Sequence, residues 1–144
     1  MNQKMKILFL CTGNSCRSQM AEGWGHSLQV NDVESFSAGI SPKGIDPRAV
    51  SVMAEAGIDI SQQSSKSVED LAHIRFDHVI TVCGNAHSTC PAFPGARITH
   101  FPFDDPPHLA TSESDESLIL NHYRRVRDEI RRFVEQLPGN LQTA

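Results

Sequence analysis

Cys11 and Arg17 stand six residues apart in "CTGNSCRS" (11–18), directly after the apolar run "KILFL". A nucleophilic sulfur and a planar guanidinium at that spacing suit attack on a tetrahedral oxyanion. The thiolate attacks, and the fork of N–H donors holds the oxygens. With a strand ending at Cys11 and a helix starting near Arg17, the backbone N–H groups between them turn inward and form an anion nest. Gly13 permits a backbone geometry that a Cβ would hinder, and Asn14 tolerates the left-handed region. The helix's positive end and the arginine both favour the thiolate of Cys11, to which Ser18 can add a hydroxyl hydrogen bond. The expected oxyanion-binding residues are Thr12, Gly13, Asn14, Ser15, Cys16 and Arg17. A Walker-type nucleotide loop is excluded, because Lys-Ser/Thr is absent at the required place. Cys11 and Cys16 are too far apart for a Cys-x-x-Cys pair. Cys16 reads as an inward-pointing loop residue, with a secondary redox role as the sharper alternative.

The stretch resembles the phosphate loop of the low-molecular-weight protein tyrosine phosphatases, whose pattern Cys-x-Gly-Asn-x-Cys-Arg-Ser it matches at every fixed position. That resemblance implies a cysteine nucleophile and a late Asp-Pro supplying the general acid. "FDDPP" (103–107) provides one, with Asp105 directly before Pro106. Asp105 is therefore the expected general acid, and Asp104 beside it, carrying the same group, is the alternative.

A phosphatase has no need of Cys83 and Cys90 in "VITVCGNAHSTCP" (79–91). Zinc is a poor reading, since Cys83, His87 and Cys90 lack a fourth ligand. Two unrelated structural cysteines are another reading. A thiol relay fits better. Arsenate has the shape of phosphate, so the same loop can bind it. Its reduction takes two electrons, which a second thiol supplies by attacking the sulfur of Cys11; a third thiol then carries the disulfide outward. Cys83 at a strand end suits the second role, and Cys90 in a segment expected to move suits the third.

The chain resembles the thioredoxin-coupled arsenate reductases through "CTGNSCRSQMAEGW", "SAG", "VCGNAHSTCP", "FDDP" and "YRRVRDEI". The resemblance implies Cys11 as nucleophile, a Cys11–Cys83 and then a Cys83–Cys90 disulfide, and thioredoxin as reductant, with phosphate or sulfate as substrate analogues. The tyrosine pair of the phosphatases near the acid loop is missing, which favours a small inorganic substrate. Some relatives bind potassium beside the loop through residues matching Asn14, Glu22 and Ser37 plus an acidic side chain. Here that fourth position is Lys66, whose ammonium can replace the cation, so neither a metal nor a bound cofactor is expected. The competing classes are a phosphomonoester hydrolase, for which Cys83 and Cys90 would be dispensable, and a sensing module that signals through its disulfide.

The elements that must position these groups alternate. Strands are expected at 5–10, 32–39, 76–83 and 96–103, and helices at 17–29, 46–57 and 116–137, with a short one at 67–72. Gly23 and Gly25 weaken the first helix. Asp46 is the expected N-cap of the second, ahead of Pro47. In the last, Ile119, Tyr123, Val126, Ile130, Phe133 and Leu137 form one apolar stripe. Arg124 and Arg132 each stand four residues from Asp128 on a face read as solvated. Residues 104–117 are expected to form a mobile polar loop. The pattern predicts an α/β fold: one domain over residues 1–144, a three-layer sandwich around a four-stranded parallel sheet, low-molecular-weight phosphatase-like.

Composition constrains the partners. The 144 residues carry a net charge of −4 and are 39% hydrophobic, ordinary for a globular protein. Nothing there points to nucleic acid or an acidic membrane. No targeting segment or membrane span is evident. A cytoplasmic monomer is expected, with its cysteines held as thiols.

Overall fold

The computed structural model describes residues 4–88 and 90–141, the His87 side chain excepted. Four strands, β1 (Met5–Cys11), β2 (Val33–Gly39), β3 (His78–Thr81) and β4 (Arg97–His100), form one parallel sheet in the order β2-β1-β3-β4. Residues 7–11 of β1 and all of β3 are buried. Consecutive burial of that kind requires cover on both faces, which explains their near-continuous apolar sequences.

The chain leaves β1 through the 12–16 loop and α1 (Arg17–Leu28) to reach β2 on one side, and then returns to β3 on the other. The gap between the C-terminal ends of β1 and β3 is therefore the topological switch point, where ligands bind in open α/β sheets. Register completes the placement: Leu10 pairs with Thr81 and Cys11 with Gly39. Cys83 is thus carried to the loop from across the chain.

The remaining helices are α2 (Pro47–Glu55), α3 (Gly84–Ser88), α4 (Pro106–Ala110) and α5 (Glu116–Glu135), with a 3-10 turn at Val68–Leu71. Asp46 caps α2, its Oδ1 accepting from the Arg48 N–H at 2.9 Å. The apolar stripe of α5 is buried as its spacing requires. Among the described residues no helix is long and apolar enough to cross a membrane.

Two local expectations need correction. Residues 104–117 are not a continuous loop, because α4 forms where the Pro106-Pro107 pair presets helical φ and supplies no N–H to satisfy. Asp128 pairs with its neighbour Arg127, not with Arg124 or Arg132. Arg124 instead makes a two-pronged contact with Glu55 at 2.8 and 2.9 Å, and Arg127 donates to the Val52 carbonyl, tying α5 to α2. Attachment to a neighbouring helix outcompetes pairing along one exposed face, where each pair adds only a few tenths of a kcal/mol.

The glycines that weaken α1 as a helix allow it to lie close on its neighbours. A Cβ on Gly25 would overlap Ser35 Oγ of β2 and stand 2.7 Å from Ser35 Cβ; one on Gly23 would stand 2.5 Å from Ile60 Cγ2. Gly25→Ala is therefore expected to lower stability by about 2 kcal/mol, although helix propensity alone favours alanine by about 1 kcal/mol. A lower urea midpoint is the expected result; an unchanged or higher one contradicts the close-packing explanation.

Candidate active site

The loop after β1 owes its shape to where its carbonyls go. The carbonyls of Cys11, Thr12, Gly13 and Ser15 accept from the N–H groups of Ile40, Ser41, Lys43 and Asp46 at 2.8–3.2 Å. Asn14 O accepts from Gln19 Nε2 at 3.1 Å and Cys16 O from the Met20 N–H at 2.9 Å. Every carbonyl from 11 to 16 thus points away from the loop's hollow. In a planar trans peptide the following N–H points the opposite way, so the amides of 12–17 face inward as a set. Asn14 takes the left-handed conformation, φ 46°. Gly39 lies so close beneath that a Cβ would stand 2.7 Å from Thr12 O and 2.8 Å from Asn14 N.

Asn14 is the loop's most heavily bonded side chain. Its Oδ1 accepts from the Lys66 N–H at 2.7 Å and from Gln19 Nε2 at 3.0 Å. Its Nδ2 donates to Ser18 Oγ at 2.9 Å. Because that lone pair of Ser18 is taken, its hydroxyl hydrogen is free to point at Cys11 Sγ, 3.1 Å away. The same arrangement recurs at Cys83. Asn85 Nδ2 donates to Thr12 Oγ1 at 2.9 Å, and Thr12 Oγ1 lies 3.3 Å from Cys83 Sγ. The Ala86 N–H donates to that sulfur at 3.4 Å. Each of the two sulfurs lies within hydrogen-bond reach of a hydroxyl whose oxygen accepts from an asparagine.

Cys11, Cys83, Arg17 and Asp105 line one cavity of about 480 Å³, together with Thr12, Gly13, Ser15 and Cys16. Arg17 donates through Nη1 to the Phe103 carbonyl at 3.0 Å, and its Nη2 is 3.5 Å from Asp105 Oδ2. Asp104, the other candidate acid, turns away to Arg125 at 3.1 Å. Of these two neighbours, Asp105 is the one at the cavity. Asn14 and Ser18 are buried behind the lining.

Cys90 is not among the lining residues; it is half-buried, its Sγ–H donating to the Pro91 carbonyl at 3.4 Å. Burial pushes its thiol pKa up. The His87 side chain, weighed above as a zinc ligand, lies outside the described residues.

Beside the loop, the buried Glu22 accepts from Ser37 Oγ at 2.5 Å, and Lys66 Nζ lies 3.6 Å from Glu22 Oε1 while donating to the Ser64 carbonyl at 2.7 Å. With an ammonium already beside this carboxylate, the residues do not fit a potassium ion.

Sequence reasoning missed Gly39, Lys43 and Asn85, and recognised Asp46 only as a helix cap. Asp46 also lines the cavity, and its Oδ2 accepts from Tyr123 OH at 2.6 Å. Gly39 and Asn85 lie in stretches quoted for the resemblance, but no local signal assigns them a role; like Lys43, they reach the site through pairing and crossover. Gln19, a polar residue on the inner face of α1, carried a signal in its position.

A sequence profile described as low molecular weight phosphotyrosine protein phosphatase matches residues 6–144. The chain is 46% identical over 131 residues to an arsenate reductase of Halalkalibacterium halodurans, covering 90% of this chain and 91% of that one. It is 47% identical over 138 residues to an arsenate reductase of Bacillus licheniformis, covering 92% and 96% respectively. A solved structure of an arsenate reductase in the phosphate binding state superposes with a TM-score of 0.78 at 32% identity, covering 96% of this chain and 99% of that one.

Burial, and after it the charge of Asp46, push the Cys16 thiol well above its ordinary pKa. A raised pKa keeps the thiol neutral until the pH passes it, and only the thiolate alkylates readily. In the folded protein at mildly alkaline pH, Cys16 is therefore expected to resist iodoacetamide and to label only on unfolding. Peptide mass mapping that finds native-state labelling of Cys16 as fast as that of Cys11 would contradict this.

Proposed function

The chain belongs to the low molecular weight phosphotyrosine protein phosphatase family, and we propose that within it this protein reduces arsenate to arsenite by a three-cysteine relay, with thioredoxin restoring the thiols. The observation that carries the reading is the second thiol. Cys83 faces the same cavity as Cys11, joined to the oxyanion loop through Thr12. Hydrolysis of a phosphate ester has no use for it there. The relatives named arsenate reductase support arsenate reduction as the reaction.

Arsenate enters the loop, its oxygens held by the inward amides and Arg17. Cys11 attacks arsenic; a sulfur–arsenic bond forms and an arsenic–oxygen bond breaks, the departing oxygen leaving as water with a proton from Asp105. Cys83 then attacks Cys11 Sγ. A disulfide forms, and the electron pair of the sulfur–arsenic bond passes to arsenic, which leaves as arsenite. Two thiols have been oxidised and arsenic reduced by two electrons. Attack of Cys90 on Cys83 frees Cys11 and leaves a Cys83–Cys90 disulfide for thioredoxin. No metal or bound cofactor takes part, and the protein works as a cytoplasmic monomer where thiols are held reduced. The Cys11–Arg17–Asp105 set also gives weak phosphatase activity.

After arsenate treatment without reductant, the protein is expected to lose two free thiols and release one arsenite. Cys83→Ser should abolish arsenite release while keeping the weak hydrolysis of an aryl phosphate. If no thiols are lost and hydrolysis is the main activity, the protein is a phosphomonoester hydrolase. Turnover with thioredoxin, thioredoxin reductase and NADPH should exceed turnover with glutaredoxin and glutathione; the reverse would assign a different donor.

Lys66 in this reading stands in for a potassium ion beside Glu22. Wild-type activity is expected to be indifferent to potassium, and Lys66→Ala to make it potassium-dependent. Indifference in both proteins contradicts the substitution.

A further inference from the structure

We infer that Lys43 is a second cation of the oxyanion site, drawing the anion into the cavity and contacting its outer oxygens, a specificity role beyond Arg17 and the loop amides. Applied to arsenate, this rests on the function proposed above. Lys43 reaches the cavity by two constraints. Its N–H donates to the Gly13 carbonyl at 2.9 Å, so the strand-following segment carries it along the loop's outer edge. Its stem then folds over Gly13: a Cβ there would stand 3.1 Å from Lys43 Cε and 3.3 Å from Cδ and Cγ. The glycine that opens the loop also seats the lysine, with the side chain lining the cavity.

The charges around the cavity make this ammonium distinctive. Arg17 is engaged with the Phe103 carbonyl and lies 3.5 Å from Asp105. Asp46 spends its two oxygens on Tyr123 and the Arg48 N–H. Among the described residues, the Lys43 ammonium has neither an ion pair nor a hydrogen bond. It is exposed, at the rim rather than beneath the loop. The chain as a whole carries −4 and Asp46 and Asp105 line the cavity, so a cation at the mouth without a carboxylate partner offsets the repulsion an incoming anion meets.

Inorganic arsenate with the thioredoxin system tests this. Lys43→Gln is expected to raise KM about three- to tenfold with kcat within about twofold, and to flatten the fall of kcat/KM with added salt. Lys43→Arg should keep wild-type behaviour. A second readout needs no arsenate chemistry: the rate of Cys11 alkylation by anionic iodoacetate relative to neutral iodoacetamide, followed by peptide mass mapping. That ratio should fall about threefold in Lys43→Gln. An unchanged KM or an unchanged ratio overturns the inference. So does Lys43→Arg behaving like Lys43→Gln, which would make the stem's packing on Gly13 the cause. If the wild-type protein reduces no arsenate, the proposed activity fails and the alkylation ratio alone decides the role of Lys43.

Discussion

Six consecutive carbonyls, Cys11 to Cys16, are satisfied from outside the loop, and the rest of the site depends on that. An amide nest is costly to assemble, because parallel N–H dipoles repel one another and buried polar groups need partners. Here the cost is offset by hydrogen bonds on the opposite side of each peptide. The donors come from residues 40–46, from Gln19 and from the first turn of α1. The loop is therefore held in its anion-binding shape by the fold, before any ligand arrives. Such preorganisation is what makes fixed dipoles effective at a reacting oxyanion. Gly39 is part of the constraint, since its missing side chain lets β2 pass directly under Thr12 and Asn14.

The second dependence is topological. Reversal of strand order between β1 and β3 places two chain segments, far apart in sequence, side by side at the C-terminal end of the sheet. One ends in the oxyanion loop and the other in Cys83. Ser18 and Thr12 are placed alike beside the two sulfurs, each hydroxyl oxygen accepting from an asparagine and lying within hydrogen-bond reach of a thiol. In the proposed relay, a cradle and a second thiol held by one loop turn an attack that would otherwise end in hydrolysis into a reduction.

Much of this was readable from residues 11–18 alone, because the loop's chemistry is local: Cys-x5-Arg, a glycine and an asparagine suited to positive φ carry their own geometry. The four strands and the α5 stripe were legible for the same reason, through hydrophobic period. What could not be read depends on distant partners. Glu55 captured Arg124 from across the α2–α5 contact, so the expected pairs with Asp128 did not form. Gly23 and Gly25 looked like weak helix formers until β2 and Ile60 were placed against them. The place before Pro106 favoured Asp105 over Asp104 in sequence, and the direction of each carboxyl separates them in the structure. Lys43 carries no motif and enters the site through backbone pairing, while Asn85, within a quoted motif, enters it through helix α3.

The central claim is that the oxyanion-bound sulfur of Cys11 is attacked by Cys83. The most direct measurement uses Cys90→Ser protein, which stops the relay after that step. It is mixed with one equivalent of arsenate without reductant, quenched in acid and mapped by peptide mass spectrometry. The account predicts a Cys11–Cys83 disulfide and one released arsenite per chain. A free Cys11 with arsenate unchanged, or a disulfide joining Cys11 to Cys16 instead, would contradict it.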